Sequence, residues 1–220
     1  MSGSGPRIGL PVAIPVPSWR GLLHTFAFAT AIPAGLALVM AADRPAARAG
    51  VAIYALSLVA VFGTSAAYHR LARSPTSRRI MRRLDHSMIY VMIAGTYTPV
   101  CLVVLPPAWG IPMLAVVWTG AVVGITLKLV SAERLSVPAN TLYLVMGWTA
   151  VVATPTILSH MPGSAVALMV AGGVAYTVGA VVLFVRRPDP HPTIFGYHEV
   201  WHALTVAAGA CHFLMIWMVT

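Results

Sequence analysis

Seven long apolar segments run through the chain and are separated by short polar loops. They cover approximately residues 21–40, 49–69, 84–105, 111–130, 140–158, 165–185 and 198–219. Each is close to the ~20 mostly apolar residues that a helix needs to cross a bilayer. The loops between them are marked by proline, glycine or charge. The pattern predicts an all-α fold, an integral membrane bundle of seven transmembrane helices.

Composition supports a membrane protein over a soluble one. Of the 220 residues, 59% are hydrophobic and 9% are charged, and the mean hydropathy is +0.84. Soluble domains average about 45–50% apolar and about 25% charged residues. A soluble fold of this composition would lack enough polar residues to cover its surface. We predict a disordered tail over residues 1–20, rich in Pro and Gly, and a single seven-helix membrane domain over residues 21–220.

The formal net charge of +9 would suit a nucleic-acid-binding protein, but the positions of the charges argue against one. The basic residues fall in short loops between apolar segments rather than on one recognition face. Cytoplasmic loops of membrane proteins are enriched in Lys and Arg in this way. We therefore expect no nucleic-acid partner and a multi-pass location in the cell membrane, of the kind found in a bacterial plasma membrane.

Counting these residues predicts the topology. With the N-terminus in the cytoplasm, only Arg44 and Arg48 lie outside. The cations inside are Arg7, Arg20, Arg70, Arg73, Arg78, Arg79, Arg82, Arg83, Lys128, Arg134, Arg186 and Arg187. Because the bias is so one-sided, we expect a cytoplasmic N-terminus and an external C-terminus.

Three histidines converge on the same side of this topology. His198 and His202 open the seventh segment four residues apart, so a helix places them on one face, one turn apart. His69 closes the second segment on the same side of the bilayer. Imidazoles are common zinc ligands, and ionisable groups at membrane depth are expensive without a partner. The spacing predicts a Zn²⁺ site formed by His69, His198 and His202.

The string from His198 to His202 also satisfies the HExxH pattern of zinc proteases. Five residues are a weak match, and the apolar composition excludes a soluble protease. An intramembrane protease is a less favoured alternative.

Two further polar residues lie at the predicted level of the site. Ser65 precedes His69 by one turn, so its hydroxyl shares that helical face and is a candidate partner for the site or a bound water. Asp85 opens the predicted third helix. We favour a water-mediated role for Asp85 at the metal. The alternative roles are a helix N-cap or a salt bridge to a nearby arginine.

These residues lie in three blocks that together resemble the hemolysin III group, which is related to adiponectin and progestin receptors and, more remotely, to alkaline ceramidases. The blocks are Ser65-Ala66-Ala67-Tyr68-His69, Asp85-His86 with Ile93-Ala94-Gly95-Thr96-Tyr97-Thr98-Pro99, and Phe195-Gly196 leading into His198-Glu199 and His202. The resemblance covers essentially the whole seven-helix core. It implies a zinc ion just inside the inner leaflet, bound by His69, His198 and His202. It further implies that Asp85 contacts a water on the zinc and that Ser65 lies close by.

One departure from that group concerns the first helix. Members often carry a glutamate there ahead of a histidine, whereas this helix has His24 and no acid. We expect His24 to be satisfied by packing or interface water, with a supporting role at the site as the alternative. His86 points about 100° away from Asp85 on a helix. His212 lies ~21 Å along the helix from His198, too far to share the ion, and is expected to bond a neighbouring carbonyl.

Three protein ligands leave a fourth position on zinc for water, as in catalytic sites. The hypothesis is a zinc-dependent hydrolase of a lipid amide or ester, in the manner of a ceramidase, with a membrane lipid as substrate. Asp85, or less favourably Glu199, would accept the proton, and Ser65 would donate to the substrate carbonyl. The alternatives are a membrane-permeabilising hemolysin with cytolytic activity, and a sensor or receptor in which zinc is structural.

The predicted topology can be tested with reporter fusions. A green fluorescent protein fused after Thr220 should stay dark and an alkaline phosphatase there should be active, because that end is expected outside the cytoplasm. Fusions after Arg187, one span earlier, should give the reverse pattern and serve as the control. A fluorescent fusion at Thr220 would contradict the arginine count.

Overall fold

The computed structural model describes residues 16–130 and 136–220. Within those ranges the chain is helical, with a single isolated β-bridge in the loop before the last helix. The helices are α1 (Leu22–Ala41), α2 (Pro45–Leu71), α3 (Pro75–Pro99), α4 (Pro107–Val130), α5 (Ser136–Gly147), α6 (Thr154–His160), α7 (Gly163–Val185) and α8 (Tyr197–Val219). A π-helical turn, Val100–Val104, extends α3, and a 3₁₀ segment, Thr149–Ala153, separates α5 from α6.

These helices form seven spans that are long and apolar enough to cross a membrane. The fifth span consists of α5, the 3₁₀ segment and α6 together. The predicted all-α, seven-span architecture is therefore confirmed. Most of the predicted tail, residues 1–15, lies outside the described residues, as does Arg134. Residues 17–21 form a turn ahead of α1.

Successive spans are joined by short loops and pack as neighbours. α2 is the most buried span and contacts α1, α3 and the π turn, while α8 packs against α7 and α1. α2 and α8 also meet directly, since the Tyr54 hydroxyl donates to the Gly209 carbonyl at 3.4 Å. Because the spans alternate in direction, one face of the bundle contains the start of α1, the end of α2, the start of α3 and the start of α8.

The third span begins earlier than the apolar pattern predicts. We expected a loop over residues 70–83 and a helix from residue 84, whereas α3 starts at Pro75. Ser74 caps it by accepting a hydrogen bond from the Ser77 amide at 3.1 Å, and Pro75 occupies the first turn, where its missing N–H costs nothing. Arginine is a good helix former, so the charged residues continue the helix beyond the apolar part. Asp85 therefore lies inside α3, and its alternative role as an N-cap is wrong.

The fifth span is not the single helix that was expected over residues 140–158. Pro155 lacks a backbone N–H and excludes the helical carbonyl four residues earlier, so it is found in the first turn of α6. The break frees backbone groups that lipid cannot satisfy. Tyr97 of α3 supplies both partners, because its hydroxyl donates to the Gly147 carbonyl at 2.9 Å and accepts from the Ala150 amide at 2.8 Å.

The approach of α3 to α2 depends on Gly95. A Cβ at this position would lie 2.7 Å from the Cβ of Ser57 on α2, closer than such atoms come in folded proteins. This contact holds together the two helices that carry His69 and Asp85.

Gly95→Ala should therefore destabilise the protein, by ~1–3 kcal/mol, because overpacking a filled interface forces the helices apart. The measurement is the unfolding midpoint in detergent. Gly173→Ala in α7 is the matched control, since its added methyl group meets no atom within 4 Å. Equal midpoints for the two variants would contradict the close-packing interpretation.

Candidate metal centre

The end of α2 and the start of α8 bring three imidazoles together. His69 lies in the last turn of α2, and His198 and His202 lie in the first two turns of α8. One ligand atom from each ring lies within 4.8 Å of the other two. The rings are also in contact, with centroids 4.9 Å apart for His69 and His198 and 4.5 Å apart for His198 and His202. This group could hold a metal ion.

The spacing of these nitrogens fits a tetrahedral ion. With Zn–N bonds of about 2.0–2.1 Å, two ligands of a tetrahedral site lie about 3.3 Å apart. The Nε2 atoms of His69 and His198 are 3.2 Å apart. In addition, Nδ1 of His202 is buried and has no hydrogen-bond partner among the described residues. The convergence of one ligand atom from each ring is consistent with a binding site for a cation.

A fourth histidine lines the site. His24 of α1 stacks on His202, with ring centroids 3.8 Å apart and planes inclined by 18°. Its Nδ1 lies 2.7 Å from the Ser65 hydroxyl, and both side chains are buried. Of the two roles weighed from the sequence, the geometry favours a supporting one for His24, because it holds the His202 ring from the side.

Ser65 and Asp85, the predicted catalytic residues, meet beside this group. Ser65 lies one turn before His69 on α2 and is 2% exposed. Asp85 of α3 is half-buried, and its carboxyl lies close enough to the Ser65 hydroxyl to interact with it. In the part of the chain that is described, Asp85 does not belong to the group of potential metal ligands. The water-mediated role of Asp85 at the metal stays a prediction.

Glu199, the less favoured proton acceptor, is occupied elsewhere. Its side chain is fully buried, and Oε1 accepts from Arg20 Nε at 2.5 Å. Oε2 accepts from the Gly196 amide at 2.9 Å, which is the glutamate half of a capping box. With both oxygens engaged, Glu199 is poorly placed to take a proton from a water at the site.

Among the described residues, the remaining intramembrane histidines do not belong to the group of potential ligands. His86 is nevertheless an electrostatic neighbour of His69 and His198. His86 has Lys128 and Arg82 as charged neighbours. His212, farther along α8, donates from Nε2 to the Met169 carbonyl at 3.3 Å, as expected. Gly172 leaves room for that ring, since a Cβ there would collide with it.

Sequence reasoning missed the Arg20–Glu199 pair. The two residues are separated by 179 positions. The available signal was that Arg20 and Glu199 lie at the same predicted level, at the starts of the first and last spans. An acid so close to the apolar segment requires a partner.

Comparison with known proteins agrees with these observations. A sequence profile described as "Haemolysin-III related" matches residues 13–213. "Hemolysin-3" of Bacillus cereus is 30% identical over 200 residues, covering 90% of this chain and 88% of the relative. "Hemolysin-3 homolog" of Bacillus subtilis (strain 168) is 30% identical over 164 residues, covering 74% of each chain.

The matched region takes in α1 to the greater part of α8, and with it each residue of the imidazole group. The seven apolar spans and the bacterial relatives identify a multi-pass membrane protein of bacterial type. The chain belongs to the haemolysin-III related family.

Proposed function

We propose that this protein is a metal-dependent hydrolase of a lipid amide or ester, and that the metal is zinc. His69, His198 and His202 would bind the ion. Neutral imidazole suits Zn²⁺, and three protein ligands leave the fourth position that catalytic zinc sites keep open. When bound, zinc supplies a Lewis acid that activates water and polarises a carbonyl group.

The residues around the trio support the remaining roles. Asp85 is the preferred candidate for the general base. The other candidate, Glu199, already accepts hydrogen bonds from Arg20 and Gly196 at its two oxygens. Asp85 would take the proton from the attacking water and return it to the leaving group. Ser65 would donate its one hydroxyl proton to the substrate carbonyl, and its contact with His24 Nδ1 at 2.7 Å would hold the hydroxyl in place.

The observation that carries the lipid substrate is a cavity directly beneath the polar site. Its lining includes one residue from each of α2, α3 and α8, and each lies one helical turn farther into the bundle than a residue of the site. Val61 precedes Ser65, Ile89 follows Asp85 and Thr205 follows His202. Apolar and aromatic side chains of α3, α5 and α7 complete the lining. An amphipathic molecule with its carbonyl at the imidazoles would extend its apolar chain into this space.

Two other functions compete with this proposal. The names of the two relatives suggest membrane lysis, which would need no metal at the imidazoles. A sensor would use the ion only to join α2 and α8. The position of Asp85 and the cavity, both of which a bracing ion would not need, favour the hydrolase.

Metal content is the first test. Purified wild-type protein should hold one equivalent of zinc by elemental analysis. His69→Ala and His202→Ala should each lose most of it, because two imidazoles bind the ion far more weakly than three. The folded state should be checked by size-exclusion chromatography and circular dichroism.

His160→Ala is the matched control, since His160 is exposed and lies at the end of α6. It should retain the full equivalent. Wild-type protein without stoichiometric zinc, or a His69→Ala variant that keeps it, would contradict the assignment of the ligands.

Turnover is the second test. Wild-type protein loaded with zinc should release fatty acid from at least one member of a panel of N-acyl and O-acyl lipids in mixed micelles. Asp85→Asn should lower that rate by ~10²-fold or more while zinc remains bound, because it removes a general base but no ligand.

Asp43→Asn is the matched control, because Asp43 is an exposed acid in the loop between α1 and α2. It should leave the rate unchanged. If zinc-loaded wild type hydrolyses no lipid of the panel, the hydrolase proposal fails and the bracing role for the ion remains.

A further inference from the structure

The turn ahead of α1, residues 17–21, lies across the loop that leads into α8, and we refer to it as the strap. Backbone amides of Ser18 and Trp19 donate to the carbonyls of Thr193 and Ile194, at 3.0 and 3.2 Å. The Trp19 ring packs edge-on against Phe195, with centroids 5.8 Å apart. The strap is thus attached to the start of α8 by backbone and by side chain.

The strap also makes a close contact with the end of α2. Gly21 has a left-handed backbone conformation, with φ of 78°, which favours glycine. A Cβ at this position would lie 2.6 Å from the Cβ of His69. The absence of a side chain therefore brings the strap into direct contact with the residue that contributes the third imidazole.

The Arg20–Glu199 ion pair fastens this contact. Glu199 lies between the two histidines of α8 in sequence, and its neighbour His198 is rotated by about 100° around the helix. The carboxylate therefore faces the strap while the imidazoles face α2. Arg20 is 22% exposed and Glu199 is 0% exposed, so the pair lies mainly out of water, where breaking it by removing one partner is strongly destabilising.

We propose that Arg20 and Glu199 are positioning residues that fix the end of α2 and the start of α8 against each other, and so set the geometry of the three imidazoles. The strap connects the two helix ends, because Gly21 contacts α2 and Arg20 binds Glu199 of α8. Glu199 of the HExxH string is then an anchor for the strap and not a proton acceptor. Insofar as it concerns metal geometry, the inference rests on the proposed function.

The change in cation affinity on removing Arg20 tests this proposal, because a purely electrostatic role and a positioning role predict changes of opposite sign. The guanidinium is an electrostatic neighbour of His69, His198 and His202. If it acted only by its charge, removing it would strengthen the binding of a cation. If it positions the ligands, removing it weakens binding, although a repelling charge is gone.

The experiment compares wild type with Arg20→Gln, Glu199→Gln and the double variant in detergent. Zn²⁺ affinity is measured by chelator competition, and coordination geometry by the visible absorption of the Co²⁺-loaded protein. We expect each single variant to bind Zn²⁺ about tenfold more weakly or worse and to shift the Co²⁺ bands. The double variant should lose no more than the worse single variant, because the two residues act as one unit.

A second measurement needs no metal. Amide hydrogen exchange of the metal-free protein should rise in Arg20→Gln at residues 18–21, at the end of α2 and at the start of α8, and stay unchanged in α4 and α7. Arg20→Lys should restore much of the protection by keeping the charge. Arg44→Gln, an exposed arginine before α2, is the control and should match wild type.

The outcomes separate the two proposals. Arg20→Gln with unchanged or stronger Zn²⁺ affinity and unchanged local exchange overturns the positioning role, even if wild type binds one zinc. A uniform rise of exchange over the whole bundle also overturns it, since that is general destabilisation. If wild type binds no zinc but exchange rises only at the two helix ends, the strap inference stands and the metal proposal fails.

Discussion

The close approach of α2 and α8 at one face of the bundle is the constraint on which the site depends. Their ends meet so tightly that two imidazole nitrogens lie 3.2 Å apart. At this distance two neutral rings can form one N–H···N hydrogen bond. A third ring that converges on the same point then has no partner for its nitrogen. A cation that accepts all three nitrogens satisfies every one of them and joins two helices that are far apart in sequence. The same contact defines the walls of the cavity below, which α2 and α8 line together with α3, α5 and α7.

Glycines let the neighbouring segments pack closely around these two helices, and polar residues form hydrogen bonds between helices. Gly21, Gly95 and Gly172 each lie where a side chain would collide with a neighbouring helix or ring. In lipid, where burial of apolar surface does not drive helices together, such close packing and interhelical hydrogen bonds supply much of the association. The His24–Ser65 contact between α1 and α2 and the Tyr97 hydroxyl at the break in the fifth span are bonds of this kind. Architecture and candidate chemistry therefore rest on the same type of interaction.

The apolar pattern was sufficient to predict the seven spans and the meeting of His69 with His198 and His202, because hydropathy and helical spacing are local properties. It failed where the ends of helices are decided by other forces. The start of α3 is determined by Ser74 capping and by arginines that favour a helix without being apolar, and the break near Pro155 depends on a tyrosine from another helix. The pairing of Arg20 with Glu199 was missed as well. The sequence places both residues at the same level, but their contact depends on how two remote helix starts lie against each other. The resemblance to a family implied the same three histidines but did not include this pair.

The length of the third span determines where the candidate site lies in the membrane. Its 30 residues correspond to about 45 Å of helix, whereas the hydrocarbon core is about 30 Å thick. Because arginines are costly in hydrocarbon, we expect the first turns of α3, which carry them, to project into the headgroup region and Asp85 to lie near the boundary. A reaction at this boundary would have two exits. A polar product could diffuse directly into the aqueous phase, while an acyl product would remain dissolved in the bilayer, so the two halves of a cleaved lipid would separate without any further movement of the protein.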